Sequence, residues 1–298
     1  MPDMEKKDKF SILHLADFSK AGRIAFVHAL KIALTLGAEL SIVLTKAVNA
    51  TEKNWPHNPP VRTTLEQWKI LRNGSRRAAV FNELGIAVKK IDQNVLNPAA
   101  AIAYHLENHN VDLIVLSAGF QNDLLQRTYD NSFFYLMQRT SAQILFIPDR
   151  TEGFISAEKG TVTLSHIMVP VVREPSPESA IKDAAALGYA MGDKTVSISL
   201  VHVGEASGIP PVSLPAYAGC SWNQVIRNGE AADEINALAY VLPADLIVMT
   251  TRGCSSNGCS RRDSVTARVL QKAPCPVSVS YTHLTLPTTI GWCSCRWW

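Results

Sequence analysis

The chain has 298 residues, which is long for a single domain and suits two domains of about 150 residues each. Hydrophobic residues make up 47% of it and charged residues 18%, a globular composition that excludes the disordered and fibrous classes. The formal net charge is +3 and the basic residues are scattered, so the concentrated basic face of a nucleic-acid-binding protein is not expected.

The first ten residues, MPDMEKKDKF, alternate charges without an apolar stretch, so they indicate neither a secretory signal nor a membrane span. No apolar run reaches the roughly eighteen residues that a bilayer-crossing helix needs. The 6 cysteines all follow Gly219 without the spacing of a disulfide framework, which is typical of reduced thiols. These features predict a cytoplasmic protein without membrane contact.

The first half of the chain begins with a strand, a helix and a second strand. The apolar run 12–16 predicts the first strand, and Ser19 is a candidate N-cap for a helix that ends at Gly37. The next apolar run, 40–44, predicts the second strand.

A capping-box pattern follows, in which Thr64 and Gln67 precede a helix that carries Trp68 and is interrupted at Asn73-Gly74. Apolar runs and helix-start signals predict the remaining elements of this half. They are strands near 86–95, 111–116 and 143–147, a helix opened by Asn97-Pro98 and a helix after Asp130.

One pattern occurs twice along the chain. VDLIVLS at 111–117 is echoed by ADLIVMT at 244–250, and SILHLAD, which ends at Asp17, corresponds to HIMVPVV, which ends at Val172. In the second copy, the Pro-rich and Gly-rich segment 204–220 replaces the long second helix. Continuous apolar strands alternating with helices predict two doubly wound α/β domains with parallel sheets.

The predicted domain limits follow from this repeat. The first domain covers residues 1–148, a linker covers 149–165 and the second, shortened domain covers 166–279. Residues 280–298, SYTHLTLPTTIGWCSCRWW, resemble translated sequencing-adapter sequence, so they are interpreted as a non-native tail.

The strand that ends at Asp17, the two DLIV strands with their polar loops, and the ending RVLQKAPCPV resemble the universal stress protein family in its tandem two-domain form. The resemblance covers residues 10–278. It implies a Rossmann-like, five-stranded parallel sheet of the adenine nucleotide alpha hydrolase-like type in each domain. It also implies that the two sheets pair through their last strands.

In nucleotide-binding members of the family, the loop after the fourth strand reads Gly-x₂-Gly-x₉-Gly-Ser/Thr. Its glycines let the backbone approach phosphates, and the helix that follows presents unpaired amides. In the second copy Gly253 and Ser264 keep the pattern, whereas Thr250 and Asp263 replace glycines. The first copy keeps none of it, and the corresponding residues are Ser117, Phe120, Asp130 and Asn131.

The aspartate at the helix entrance, Asp130 or Asp263, is the change with the largest expected effect. As an N-cap it would accept the amide hydrogens that a phosphate would otherwise receive. A carboxylate about 5 Å from a phosphate costs about 3 kcal/mol at a dielectric near 20, which weakens binding about a hundredfold. Arg252, Arg261, Arg262 or a bound Mg²⁺ are the groups that could offset this repulsion.

The family's other pocket acid, at the end of the first strand, is kept as Asp17 and replaced by Val172 in the second copy. Neither half therefore holds a complete set. The resemblance implies a candidate nucleotide pocket whose residues are Asp17, Thr250, Gly253, Ser264 and the amide of Val265.

Neither a metal site nor a catalytic centre is expected. Cys254 and Cys259 lack the second pair of ligands that zinc requires, and Cys275 is interpreted as a small buried hydrophobe at the last strand. His105 and His109 are interpreted as helix-end residues rather than metal ligands. No nucleophile elbow, Ser-His-Asp order or Walker loop occurs in the required context.

Two functions compete. The leading hypothesis is a non-catalytic universal stress-type protein, an intrachain pseudo-dimer whose nucleotide pockets have degenerated and which acts through a protein partner or weak ligand sensing. The alternative is a genuine ATP or AMP binder that uses Mg²⁺ and hydrolyses ATP slowly. Homodimer formation and thiol-based redox sensing through Cys254 and Cys259 are further hypotheses.

Overall fold

Strands and helices alternate over much of the described part of the chain. The computed structural model describes residues 9–16, 19–44, 60–92, 98–117, 140–149, 151–192, 194–252 and 264–282. The strands are β1 (Ser11–Ala16), β2 (Glu39–Leu44), β3 (Ala87–Asp92), β4 (Leu113–Ser117), β5 (Gln143–Ile147), β6 (His166–Pro170), β7 (Val196–Val203), β8 (Cys220–Arg227), β9 (Leu246–Arg252) and β10 (Val277–Thr282). The helices are α1 (Lys20–Leu36), α2 (Val61–Gln67), α3 (Ala79–Asn82), α4 (Pro98–Asn108), α5 (Glu178–Met191), α6 (Ala231–Val241) and α7 (Val265–Lys272), with a 3₁₀ turn at Ala206–Gly208.

The described strands form a single 10-stranded sheet in the order β3-β2-β1-β4-β5-β10-β9-β6-β7-β8. Neighbouring strands within each half are parallel, whereas β5 and β10 are antiparallel, with Val277 opposite Phe146 and Val279 opposite Ile144. The α/β prediction is confirmed, including the pairing through the last strand of each half. The two five-stranded sheets are thereby fused into one.

Each face of the sheet is covered by its own helices. Because side chains alternate along a strand, Leu246 and Val248 point to one face and Ile247 and Met249 to the other. The core on the first face lies beneath α1 and α5 and extends through both halves. The core on the second face lies beneath α4, α6 and α7.

Helix α1 has the ends that its sequence predicts. The Ser19 hydroxyl accepts a hydrogen bond from the Gly22 amide at 2.9 Å, and Gly37 closes the helix in the left-handed conformation at φ 61°. The N-cap and the glycine each act within one turn of the helix, so contacts with distant residues do not change where the helix begins and ends.

The capping-box prediction at Thr64 is wrong. Helix α2 begins at Val61, so Thr64 lies inside it, is buried and donates its amide to the Pro60 carbonyl at 2.8 Å. Trp68 ends the helix rather than lying within it, and its indole Nε1 donates to the Ala157 carbonyl at 3.1 Å. A contact with a distant segment fixes this helix end, and a local pattern could not reveal it.

The segment 151–165, which joins the halves, packs into the core. Phe154 is 0% exposed, and its amide donates to His28 Nε2 at 3.1 Å. Gly153 has φ 68°, and a Cβ there would lie 2.2 Å from the His28 ring, so only glycine lets the segment pass this close. The predicted linker therefore lies fixed against α1.

The connection between β7 and β8, residues 204–219, contains only the 3₁₀ turn, as the Pro-rich and Gly-rich sequence predicts. Strand β10 continues through Thr282, opposite Arg252 of β9, and thus beyond the predicted limit at 279. Residues 283–298 lie outside the described part of the chain. Among the described residues, no helix has the length and apolarity to cross a bilayer.

The aspartates of the two DLIV motifs have a structural role at the amino ends of the strands. Asp245 Oδ2 accepts hydrogen bonds from the amides of Ser165 and His166 at 2.8 and 2.9 Å. Asp112 Oδ2 accepts the Ser11 amide at 2.7 Å in the equivalent place of the first half. This bond joins the first and fourth strands of each half, which explains why both copies carry the acid.

Candidate functional site

Open α/β sheets bind ligands at the carboxyl ends of their strands, where the direction of chain progression reverses. In the first half that point lies between β1 and β4, and in the second between β6 and β9. The sequence-predicted pocket residues follow these strands.

Three of the five predicted pocket residues lie in the described part of the chain. Thr250 is near the end of β9, Ser264 immediately precedes α7, and Val265 is the first residue of that helix. Asp17 and Gly253 lie outside the described residues. The fold therefore places Thr250 and the start of α7 on either side of the 253–263 loop.

Ser264 is the N-cap of α7, with its hydroxyl accepting the Ala267 amide at 3.1 Å. The prediction that the aspartate at the loop end provides the cap is therefore wrong for α7, which is capped one residue later. Asp263 itself lies outside the described residues, as do Asp130 and its helix. The Ser264 hydroxyl oxygen, which the family pattern assigns to phosphate, already accepts a bond from its own helix.

A buried polar cluster lies behind the end of β9. Thr250 is opposite Ser280 of β10, and both side chains lie on the face covered by α5. Ser280 Oγ donates to Asp183 Oδ2 of α5, and Asp183 is only 4% exposed. Burial raises the pKa of Asp183 to about 6, although the Ser280 hydrogen bond and the nearby Lys182 oppose the shift.

The β6–α5 loop, residues 171–177, is bound to the β7–β8 connection. The imidazole of His202 lies between two carbonyl oxygens, with Nδ1 3.1 Å from that of Val171 and Nε2 3.1 Å from that of Glu205. Arg173 donates to the Ser207 carbonyl at 3.2 Å. The protein's own loop thus lies beside the carboxyl ends of β6 and β7.

The start of α5 also holds this connection, because the Glu178 carboxylate accepts the Ser213 amide at 3.0 Å. Val172, which replaces the family's acid, is 41% exposed in the same loop. We call these contacts of His202, Arg173 and Glu178 the loop latch.

Ion pairs also join α7 to the start of α6. Arg268 forms ion pairs with Glu230 and with Asp233, the latter at 3.1 Å, and Lys272 lies 3.2 Å from Asp233. Glu230 additionally caps α6 by accepting the Asp233 amide at 3.1 Å. These pairs lie at the surface, so each contributes little to the stability of the fold.

The described histidines and cysteines are packed against other groups of the protein. His105 and His109 stack with ring centroids 4.3 Å apart, and burial, His109 and Lys89 lower the pKa of His105 to about 4. Cys275 is buried just before β10, as predicted, and burial raises the pKa of its thiol to about 12. Cys254 and Cys259 lie outside the described residues, and within the described ones no cluster of three metal-ligating side chains occurs.

Sequence reasoning missed Asp183 and the loop latch. A signal for Asp183 existed, since it falls three residues after Ala180 on the apolar stripe of α5, where an unpaired acid is unusual. Three of the latch contacts join residues more than thirty positions apart through backbone groups, for which no local pattern exists.

The comparisons with known proteins agree with this fold. Residues 214–280 match the model of the universal stress protein family. No curated protein sequence matches the chain. The match covers β8, α6, β9, α7 and most of β10, together with the candidate phosphate loop between β9 and α7.

Two solved structures share the fold over most of the chain. A universal stress protein from Archaeoglobus fulgidus DSM 4304 aligns with a TM-score of 0.58 and 16% identity, over 92% of this chain and 97% of that one. A functionally unknown protein from Pseudomonas aeruginosa PAO1 aligns with a TM-score of 0.53 and 13% identity, over 92% of both chains. The chain thus resembles the universal stress protein family in sequence over residues 214–280 and shares the fold of these structures over most of its length.

Proposed function

We propose that the chain is a non-catalytic universal stress-type protein, that its nucleotide pockets have degenerated and that it acts through a protein partner in the cytoplasm. The observation that carries the proposal is the loop latch. A nucleotide with its phosphates at the β9–α7 loop would extend over the carboxyl end of β6, where the 204–219 connection is bound to the β6–α5 loop.

The start of α7 supports the same proposal. The Ala267 amide already donates to the Ser264 hydroxyl, so this amide is not free to bind a phosphate at the start of the helix. Val172 adds an exposed aliphatic side chain where the family has an acid that would contact a nucleoside. Both differences remove favourable contacts, so they lower nucleotide affinity.

A genuine ATP or AMP binder is the second candidate, and one observation favours it. Thr250 and Ser264 still lie on either side of the 253–263 loop, and the first amides of α7 have no carbonyl partner within the helix. Residual affinity would therefore be expected in the second half, with Mg²⁺ offsetting nearby carboxylates.

A thermal-shift titration distinguishes the two functions. A ligand that binds only the folded state at a hundred times its dissociation constant adds about 2.7 kcal/mol to the free energy of unfolding. We expect no saturable shift of the melting temperature with Mg-ATP, ATP or AMP, and no release of inorganic phosphate from Mg-ATP.

Variants make the titration specific to the second half. Ser264→Ala removes the α7 cap and should lower stability by about 1 kcal/mol in the absence of nucleotide. Ser19→Ala removes the equivalent cap of α1 and is the matched control for cap loss. A saturable nucleotide shift that Ser264→Ala abolishes and Ser19→Ala retains would establish the ATP or AMP binder instead.

A further inference from the structure

The described sheet ends in two edge strands, β3 and β8, and they differ in how they meet solvent. Strand β8 is 8 residues long, and its sequence CSWNQVIR contains neither proline nor lysine. Proline, lysine and short length are the usual means by which natural edge strands prevent pairing with another chain. Strand β8 uses none of them.

The backbone groups on the outer side of β8 can be identified. The Gly219 carbonyl accepts the Val196 amide at 2.7 Å, and the Arg227 carbonyl accepts the Gly204 amide at 2.8 Å. Odd-numbered positions therefore direct their backbone groups toward β7. Because alternate residues of a strand address opposite neighbours, the outward groups belong to Cys220, Trp222, Gln224 and Ile226.

Strand β3, at the other edge, is protected by charge. Lys89 and Lys90 lie in its middle, and Lys89 Nζ is 3.4 Å from the Glu39 carboxylate of β2. In an antiparallel register centred on these residues, Lys89 would lie opposite Lys90 of the second copy, which is unfavourable. The middle of β8 carries no charged residue, so β8 can pair with its own copy without this repulsion.

We propose that β8 pairs antiparallel with β8 of a second copy of this chain and continues the sheet across a twofold axis. In the register we propose, Gln224 lies opposite its own counterpart and Trp222 lies opposite Ile226 of the second copy. These residues lie on one face and have outward backbone groups, so they form the hydrogen-bonded pairs of the ladder. Arg227 lies opposite Ser221, so no like charges meet.

The surroundings of β8 supply apolar surface for this contact. Ile226 is 43% exposed, and Trp222 is half-buried against the core beneath α5. Helix α5 contacts the start of β8, where Cys220 Sγ lies 3.7 Å from the Ala185 carbonyl. Tyr189 of α5 is 61% exposed and lies with its ring centroid 5.6 Å from that of Tyr217.

The chain already contains one junction of this kind. Strands β5 and β10 join the two halves as an antiparallel pair inside an otherwise parallel sheet. The same arrangement at β8 would join two chains as β5 and β10 join two halves. The proposal does not depend on the state of the nucleotide pockets, because β7 separates the outer edge of β8 from β6 and β9, where the second-half pocket would lie.

Sedimentation and hydrogen exchange of the full chain test the proposal. We expect the mass to double with rising protein concentration. We expect the amides of Trp222, Gln224 and Ile226 to exchange more slowly in the dimer, while those of the odd-numbered residues, bonded to β7, change little. A monomer at protein concentrations up to about 1 mM, where even very weak pairs associate, would overturn the proposal.

Gln224 provides the matched variants, because its side chain is exposed and substitution there leaves the core intact. Gln224→Lys and Gln224→Glu each place like charges opposite one another, and each should weaken association at least about tenfold. An equal mixture of the two variants should restore the dimer, since opposite charges then meet.

Unchanged circular dichroism and melting temperature of each variant establish that the fold is retained. Dimers that persist in both variants, or a mixture that stays monomeric, would overturn the proposal. Binding of an extended heterologous peptide to β8 without self-association would overturn it as well, because the occupant would then be a different partner.

Discussion

Asp183 is an acidic residue in a buried environment that disfavours its charged form. It is a carboxylic acid that is 4% exposed, and its one described hydrogen-bond donor is the Ser280 hydroxyl. Its pKa in the folded state, about 6, lies above the ordinary value of 3.8, so ionisation weakens the fold. The stability from protonated Asp183 is present below about pH 3.8 and is lost as the pH rises through about 6.

Replacing Asp183 with asparagine should therefore stabilise the protein near neutral pH. Asparagine keeps an oxygen that accepts from Ser280 and carries no charge, so the free energy of unfolding should rise by up to about 3 kcal/mol at pH 7. The gain should vanish below about pH 4. Urea unfolding at the two pH values measures both effects.

The contrasting variant is Ser280→Ala, which leaves the buried carboxylate without its donor and should destabilise the fold at neutral pH. If Asp183→Asn lowered the stability at neutral pH, the ionised carboxylate would be making favourable contacts that the neutral amide lacks.

At the scale of single elements, the connecting segment 151–165 shows how a sequence predicted to be a linker becomes part of the core. Its Phe154 amide donates to His28 Nε2, so the neutral ring must carry its proton on Nδ1, which donates to the Ile24 carbonyl at 2.7 Å. Burial lowers the pKa of His28 from 6.5 to about 4. A proton on Nε2 would break the bond to Phe154.

The attachment of this segment should therefore depend on pH. The unfolded chain takes up a proton at His28 near pH 6.5 and the folded one near 4, so acidification through this window favours unfolding. The stability lost between these values is about 3 kcal/mol. Urea unfolding across this pH range, with limited proteolysis within 151–165, measures the loss.

His28→Gln is the test variant, because glutamine keeps an acceptor for the Phe154 amide and does not ionise. Its free energy of unfolding should change less with pH than that of the parent chain. The contributions of His105 and Asp183 are present in both proteins and cancel in the difference. Equal pH profiles of the two proteins would show that His28 is not the responsible group.

The elements differ in how far their sequence could predict them, and the range of the determining contact explains the difference. The ends of α1 depend on Ser19 and Gly37, which act within one turn, so the prediction was confirmed. The end of α2 depends on Trp68 reaching Ala157, so the local capping-box pattern misled. In the candidate site, Thr250 and Ser264 could be located from the repeat, whereas His202 and Arg173 contact distant carbonyls and could not.

At the scale of the whole molecule, the halves share more than the β5–β10 pair. The core beneath α1 and α5 contains side chains from both halves, and Phe154 and Leu164 of the connecting segment belong to it. Removing one half would expose this apolar surface, which costs about 25 cal/mol for each Å². We therefore expect the two repeats to unfold as one cooperative structure, although their sequence suggests two separate domains.

We expect a single unfolding transition, and tryptophan fluorescence can follow each half separately. Trp68 reports the first half and Trp222 the second, once the remaining tryptophans have been replaced by phenylalanine, namely Trp55, Trp292, Trp297 and Trp298. Leu30→Ala in α1 removes a side chain that is 0% exposed, and it should cost about 2–5 kcal/mol. Because the two halves share one core, this loss of stability should affect both halves. The denaturation midpoint should therefore fall equally for both probes. A midpoint that falls for Trp68 alone would mean that the halves unfold independently, with the β5–β10 ladder too weak to couple them.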